Sequence, residues 1–383
     1  MKKLTSFVVV SVAPLVLAAC DDNTPKSTID LIPPTMDTNR DIISTDLAFD
    51  VTNQLGDATI VLAGSDSQGA SFEVGGLKVT SIVSPTATFP LQYAVKDGRL
   101  DIGVPAGSNP IELHIQYSYE TQKNFDGYLA EKLTFLWPRF CGNLFPCKSV
   151  PSEGATYSMQ LYNLAKDDLA VYPDSIPTDA PSYMPAFALG NYKYLMLGKT
   201  TAGTEVGVYH KPGEEAATMT GTKDLTAYFD WYEKTYGAYV FGSKVGSVSA
   251  NWGPGAFGGM EHHPFWHVAT DAMNDPVTHA HEAAHGWFGD GVRIACWEDF
   301  VLSEGTVTYL AARAIEAVGG AAAGQTVWDG YLMELDAVLQ RTVPQFSSVA
   351  RFQAVERDLA VIVPDAVTHA ALMTAVLATP TGG

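Results

Sequence analysis

The sequence predicts an α+β protein, an all-β region followed by a mixed and then helical one. From Asp41 to Gly198 the chain runs in short alternating or apolar segments broken by Gly, Asp, Asn and Pro, the pattern of half-buried strands. Helical periodicity enters at Thr222 to Tyr236 and dominates after Asp275. With 383 residues, 46% hydrophobic and only 17% charged, the chain can bury a sizeable core and is long enough for two domains.

The elements follow in order. Lys2 and Lys3 form a positive n-region, Phe7 to Val16 an apolar h-region, and Leu17-Ala18-Ala19-Cys20 resembles a bacterial lipobox, so residues 1–20 are expected to be a lipoprotein signal peptide with lipid on Cys20. The apolar run is too short for a spanning helix, which needs about 20 apolar residues. Residues 21–40, rich in Thr, Asp and Pro, read as a flexible tether. Residues 41–198 form the β domain, with Ala58 to Leu62 and Ile111 to Tyr117 among its strands and His114 on an exposed strand face. Residues 199–383 form a second domain. Its small sheet ends in an edge strand at Gly258-Gly259-Met260-Glu261, and helices follow. Asp275-Pro276 is an N-cap and first-turn pair that starts one helix, and a second runs from about Asp299 to Val318.

The formal net charge is -19, and loss of Lys2 and Lys3 with the signal makes it -21. Such acidity argues against nucleic acid or anionic lipid as a partner. Cys141 and Cys147 are candidates for a disulfide in an oxidising exterior, and Cys296 reads as a small buried hydrophobe.

The chemistry concentrates in His281-Glu282-Ala283-Ala284-His285. Residues four apart share one helix face, so both imidazoles can bind one metal, and Glu282 can reach a water on it. Glu304, with eighteen residues between it and His285, supplies a third ligand from the facing helix. Three protein ligands leave a fourth position open, the arrangement of a catalytic zinc. His262, His263, His267 and His279 crowd the same region, but a single zinc per chain is the simpler account. Asp299 is either an outer partner of a ligand imidazole or an ordinary helix N-terminal carboxylate.

HExxH-x18-E, with Trp287-Phe288-Gly289 after the second histidine and Trp297 and Asp299 before Glu304-Gly305, resembles the M1 family of gluzincin aminopeptidases. Gly258-Gly259-Met260-Glu261-His262 is similar to that family's Gly-x-Met-Glu-Asn exopeptidase motif, and Phe145-Pro146-Cys147 with Pro151 partly matches a third signature. The resemblance implies a saddle- or sandwich-like β domain and a thermolysin-like catalytic domain. It also implies zinc on His281, His285 and Glu304, Glu282 as general base, and Gly258, Gly259, Met260 and Glu261 binding peptides with free N-termini. The expected function is zinc-dependent removal of N-terminal residues by a lipid-anchored protein of the bacterial cell envelope.

Departures from the pattern set the alternative. Trp137 stands where an acidic or amide side chain helps hold the substrate amine, and His262 replaces asparagine. The oxyanion tyrosine is expected between Val363 and Ala370, where none occurs. Val367 falls at its place and His369 is the nearest polar substitute, while Tyr309 and Tyr331 lie too close to Glu304 in sequence. These features and the short C-terminal region read as a truncated catalytic domain, and the alternative is a catalytically impaired zinc- and peptide-binding lipoprotein.

Overall fold

A computed structural model describes residues 31–123, 126–252 and 258–341, together with positions 371 and 374. The signal segment, Cys20 and the interval from Val363 to Ala370 lie outside the described residues.

Alternation of apolar and polar residues organises the first half. A six-stranded sheet has the order Ser175–Ala180, Ala155–Tyr162, Ile42–Asp50, Leu55–Leu62, Ile111–Ser118 and Lys78–Val83. In Ile111–Ser118 the residues Ile111, Leu113, Ile115 and Tyr117 are buried while Gln116 is exposed, as period-2 geometry requires when one face meets the core. A three-stranded sheet, Ala70–Glu73, Arg99–Ile102 and Tyr93–Lys96, packs with it through one shared hydrophobic core. Cys141 and Cys147 are joined in a disulfide beside this sheet, Cys147 bridging Glu73.

Two sequence expectations are corrected here. The segment read as a tether is docked from Thr35 onward. Thr35 bridges Ile102, and the buried Arg40 guanidinium donates to the carbonyls of Ala63, Gly69 and Pro105. A planar group with five donors can satisfy several loop carbonyls at once, which ties that stretch down. The boundary at 198/199 also moves, because strand Lys193–Lys199 pairs with Glu205–His210 in the second sheet, so the sheet systems change over between Gly190 and Lys193.

The second sheet has the order Lys193–Lys199, Glu205–His210, Lys244–Ala250, His267–Ala269 and Gly259–Met260. Glu205–His210 and Lys244–Ala250 are parallel, so the chain must cross over between them, and it does so through helices α1 (Glu215–Thr222) and α2 (Leu225–Tyr236). Helix α3 (Pro276–Ala284) starts where Asp275 accepts from the backbone of Val277 and Thr278, with Pro276 in the first turn. Helices α4 (Phe300–Gly319) and α5 (Ala321–Arg341) form an antiparallel pair broken at Gly320, whose φ of +85° favours glycine. None of the helices among the described residues is long and apolar enough to cross a membrane.

An aromatic cluster locks α3 in place. Phe229 and Tyr232 of α2 meet Trp287 at 5.1 and 5.5 Å between ring centroids, Phe229 stacks on Trp266, and the Tyr232 hydroxyl donates to Ala280 O at 2.9 Å. The β domain closes the other side: Trp297 Nε1 donates to Ser149 O, and Arg293 bridges to Asp179. Cys296, expected inside, is partly exposed beside Asp299, because it precedes α4 on the surface of this junction.

Burial of imidazoles in this frame has a pH signature. Loss of hydration pushes His263 and His267 down to about 3 and His279 down to about 4. A depressed folded-state value means that the unfolded chain takes up protons the fold refuses, so stability is present above the ordinary histidine value of about 6.5 and is lost as pH falls towards the folded value. His267→Phe is therefore expected to gain stability relative to the parent as pH falls from about 6.5 to about 4, at a slope of up to about 1.4 kcal/mol per pH unit. Denaturant melts of the pair across that range read the difference, and parallel curves would refute it.

Candidate metal and peptide site

Helix period brings the donors together. His281 and His285, one turn apart at the end of α3, face Glu304 in the second turn of α4. His281 Nε2 lies 3.2 Å from Glu304 Oε2 and 3.3 Å from His285 Nε2, and His285 Nε2 lies 3.7 Å from Glu304 Oε1. Tautomers sharpen the point. His285 Nδ1 is 3.1 Å from Phe288 O, and a carbonyl only accepts, so Nδ1 carries the proton and Nε2 turns a lone pair inward. Donor atoms bound to zinc at 2.0–2.2 Å in a tetrahedron stand about 3.3 Å apart, so the three groups fit that ion as placed. Glu304 sits well below the usual carboxylate range: burial would raise it, but its contacts with His281, 3.2 Å away, and His285 outweigh that.

Two glycines permit this geometry. Gly289 has φ +114°, and a Cβ there would lie 2.5 Å from His285 Nδ1. A Cβ on Gly259 would fall 2.3 Å from Glu282 Oε1, so only glycine lets the edge strand lie against the carboxylate.

Glu261, Glu282 and His285 form a second convergence, their polar atoms all within 4.8 Å of one another. Glu261 and Glu282 are buried, and Glu261 Oε1 and Glu282 Oε2 have no hydrogen-bond partner within the protein. Burial and then neighbouring carboxylates push both groups well above their ordinary values, with Glu304 and Asp290 acting on each. Without a cation these acids resist ionising; a metal and a positively charged ligand reverse that.

A cleft of about 400 Å³ contains the cluster. Phe300, Glu304 and Thr308, spaced by four on α4, form one wall with Tyr331 and Glu334 of α5. Gly258, Gly259, Met260 and Glu261 form the other, with His281, Glu282 and His285 between. Gly258 lies over Thr278, and Leu136 N donates to His262 Nε2 next to Glu261 in the chain, which helps bring Trp137 to the lining of the same cleft. Trp137 is held by Phe300 at 5.3 Å and Trp297 at 5.6 Å. The described lining residues include five carboxylates and neither lysine nor arginine.

Asp299 does not serve a ligand imidazole. Its carboxylate faces Cys296 Sγ, whereas His285 is oriented by Phe288 O and His281 Nδ1 by Thr308 Oγ1 at 3.4 Å. His279 is turned away to Ser247 and Met273. Sequence reasoning missed Thr308, Phe300, Tyr331 and the fully buried Asp290. The spacing of four from Glu304 marks Phe300 and Thr308; nothing local marks Tyr331 or Asp290.

Two helical histidines and a facing glutamate, on an α+β frame with a glycine-rich edge strand, converge as a candidate metal site. Residues 267–356 match the family model described as the peptidase family M1 domain. It is 24% identical over 272 residues to leucine aminopeptidase 2 of Candida albicans, covering 64% of this chain and 42% of that one. It is 29% identical over 153 residues to human endoplasmic reticulum aminopeptidase 2, covering 36% and 15%. The chain spans less than half the length of these curated relatives. Its fold matches the crystal structure of an M1 zinc metallopeptidase from Deinococcus radiodurans with a TM-score of 0.67 and 18% identity, covering 78% of this chain and 75% of that one. A mutant of the Deinococcus enzyme has been crystallised with a Tyr-Ser-Ala substrate.

Zinc should therefore stabilise the fold. At a hundredfold excess over its dissociation constant, a ligand specific to the native state adds about 2.7 kcal/mol. Thermal melts of chelator-treated protein should rise on adding zinc, and Glu304→Gln should remove most of that rise; an equal rise in the variant would exclude Glu304 as a ligand.

Proposed function

We propose that this chain is an aminopeptidase with one zinc on His281, His285 and Glu304, removing single residues from the free N-termini of peptides. The observation that carries the reading is the buried carboxylate of Glu261, whose Oε1 has no partner within the protein, lying within 4.8 Å of both Glu282 and His285. In a peptide the amino nitrogen and the first carbonyl carbon are about 2.5 Å apart. An ammonium held by Glu261 therefore brings the first peptide bond, and no later one, to the metal donors.

Zinc held there supplies Lewis acidity that makes amide hydrolysis feasible near neutral pH. The chain does the rest. Gly258 to Met260 offer edge-strand backbone along which a peptide can lie. Glu261 accepts charge-assisted hydrogen bonds from the ammonium, gaining the donors its buried oxygen lacks. Glu282, across from Gly259, takes a proton from the attacking water and returns it to the leaving nitrogen. Trp137 and Phe300 screen the amine end of the cleft from solvent, which strengthens the Glu261 pairing.

Glu282→Gln should lower kcat by on the order of 10²–10⁴-fold with zinc content unchanged. Glu261→Ala should lower kcat/KM by on the order of ten- to a hundredfold, chiefly through KM, and N-acetylated peptides should resist the parent. Hydrolysis of aminoacyl-fluorophores and their acetylated forms measures all three; equal cleavage of acetylated and free substrates would replace this reading with an endopeptidase.

We further propose that the mature protein begins at Cys20 and is tethered by lipid to an envelope membrane, supported by the charged n-region, the apolar run and Leu17-Ala18-Ala19-Cys20. Cys20→Ala should shift the protein from the membrane pellet to the soluble fraction of lysed cells, and an unchanged distribution would count against the tether.

A further inference from the structure

The Glu282 carbonyl is stranded. Helix α3 ends at Ala284, and the N–H of Gly286, which would close the next helical bond onto Glu282 O, turns to Ala283 O at 3.4 Å instead. The following N–H groups, of Trp287 and Phe288, go to Ala284 O, and that of Asp290 goes to His285 O. His263 Nε2 lies 2.7 Å from the Glu282 carbonyl oxygen.

Its tautomer is fixed by its neighbours. A carbonyl only accepts, so Nε2 carries the proton, and Nδ1, 2.9 Å from the Tyr239 hydroxyl, accepts from it. The ring is fully buried, lies against Trp266 at 4.8 Å, and reaches so close to the chain that a Cβ on Gly286 would sit 3.0 Å from its Cε1. His263 also lies in a stiff turn two residues after Glu261: His262 N donates to Met260 O at 2.8 Å, His263 N to Glu261 O at 2.7 Å, and Phe265 N to His262 O at 3.1 Å. One short turn therefore carries both the amine-holding carboxylate and a bolt into the backbone of the proton-transferring residue.

We infer that His263 is a positioning residue that fixes the distance between Glu261 and Glu282, and with it the rule that only the first peptide bond is cut. The inference rests on the aminopeptidase reading for its kinetic consequence and on geometry alone for its structural one. Tyr239 orients the ring, and the buried bond from Nε2 stops the helix end and the turn from sliding apart. A displacement of about 1 Å at a reacting centre can lower a rate by about a hundredfold.

The test uses zinc-loaded full-length protein and the variants His263→Phe, His263→Gln and Tyr239→Phe, with Glu282→Gln as the blank. Two readouts are taken. Hydrogen exchange of the segment 276–288 should quicken about tenfold in His263→Phe, with the six-stranded sheet unchanged, and return towards the parent in His263→Gln, whose amide N–H reaches about as far as Nε2. For aminoacyl-fluorophores, kcat/KM should fall by up to about a hundredfold in His263→Phe, and the ratio of free-amine to N-acetyl cleavage should narrow, with His263→Gln restoring both. The near-isosteric Tyr239→Phe should move each quantity the same way by at least about threefold, and it carries the test if His263→Phe does not fold. Parental exchange and parental selectivity in a folded, zinc-loaded variant overturn the proposal. An inactive parent overturns the aminopeptidase reading instead, and the exchange result then decides the role of His263 by itself.

Discussion

Three donor groups that stand within 3.2–3.7 Å of one another leave a place for one cation between them, and α3 and α4 are arranged around that point. His285 keeps Nε2 turned towards it because Nδ1 is committed to Phe288 O. Glu304, set against both imidazoles, stays below the usual carboxylate range. The donors stay in place because α3 is capped by Asp275, gripped by the aromatic cluster of Phe229, Tyr232 and Trp287, and crossed by α4. Such a frame holds its ligands before the metal arrives, so little ordering remains to oppose binding.

The same electrostatics extend along the cleft. Buried carboxylates are expensive to ionise, and Glu261, Glu282 and Asp290 lie in each other's fields as well as that of Glu304. Pushed upward together, they form a site that is stable with protons or with cations. In the proposed reaction a metal and an ammonium are those cations, which would couple ligand binding to the ionisation of Glu282. Sterics add the second limit, since Gly259 admits Glu282 only because it has no side chain.

Much of this was legible in the chain. The ligands and Glu282 could be read because helix geometry converts spacing into direction: four residues return a side chain to the same face, and no long-range information is needed. The strand pattern of the first half was legible for a similar reason, with Ile111 to Tyr117 alternating as a half-buried strand must. The end of the tether was misread because Arg40 looks like a solvent-facing cation until the loops at Ala63, Gly69 and Pro105 are brought to it. Cys296 was misjudged, and the choice between the two readings of Asp299 left open, because both lie at a junction whose packing is made by Trp297, Ser149, Arg293 and Asp179 from distant parts of the chain; Asp299 is the N-terminal carboxylate of α4.

The sequence by itself determined that His281, Glu282 and His285 share one helix turn facing Glu304, where the edge strand runs, and the order of β and helical regions, because each depends on local period and residue chemistry. Only the tertiary structure decided that Glu261 stands within 4.8 Å of Glu282 and His285, that Trp137 and Phe300 line the same cleft, and that His263 ties the Glu261 turn to the Glu282 carbonyl. Those relations join segments up to about 160 positions apart, from Trp137 to Phe300, and depend on how helices and strands pack. Side-chain spacing along the chain carries no record of that packing until the core forms.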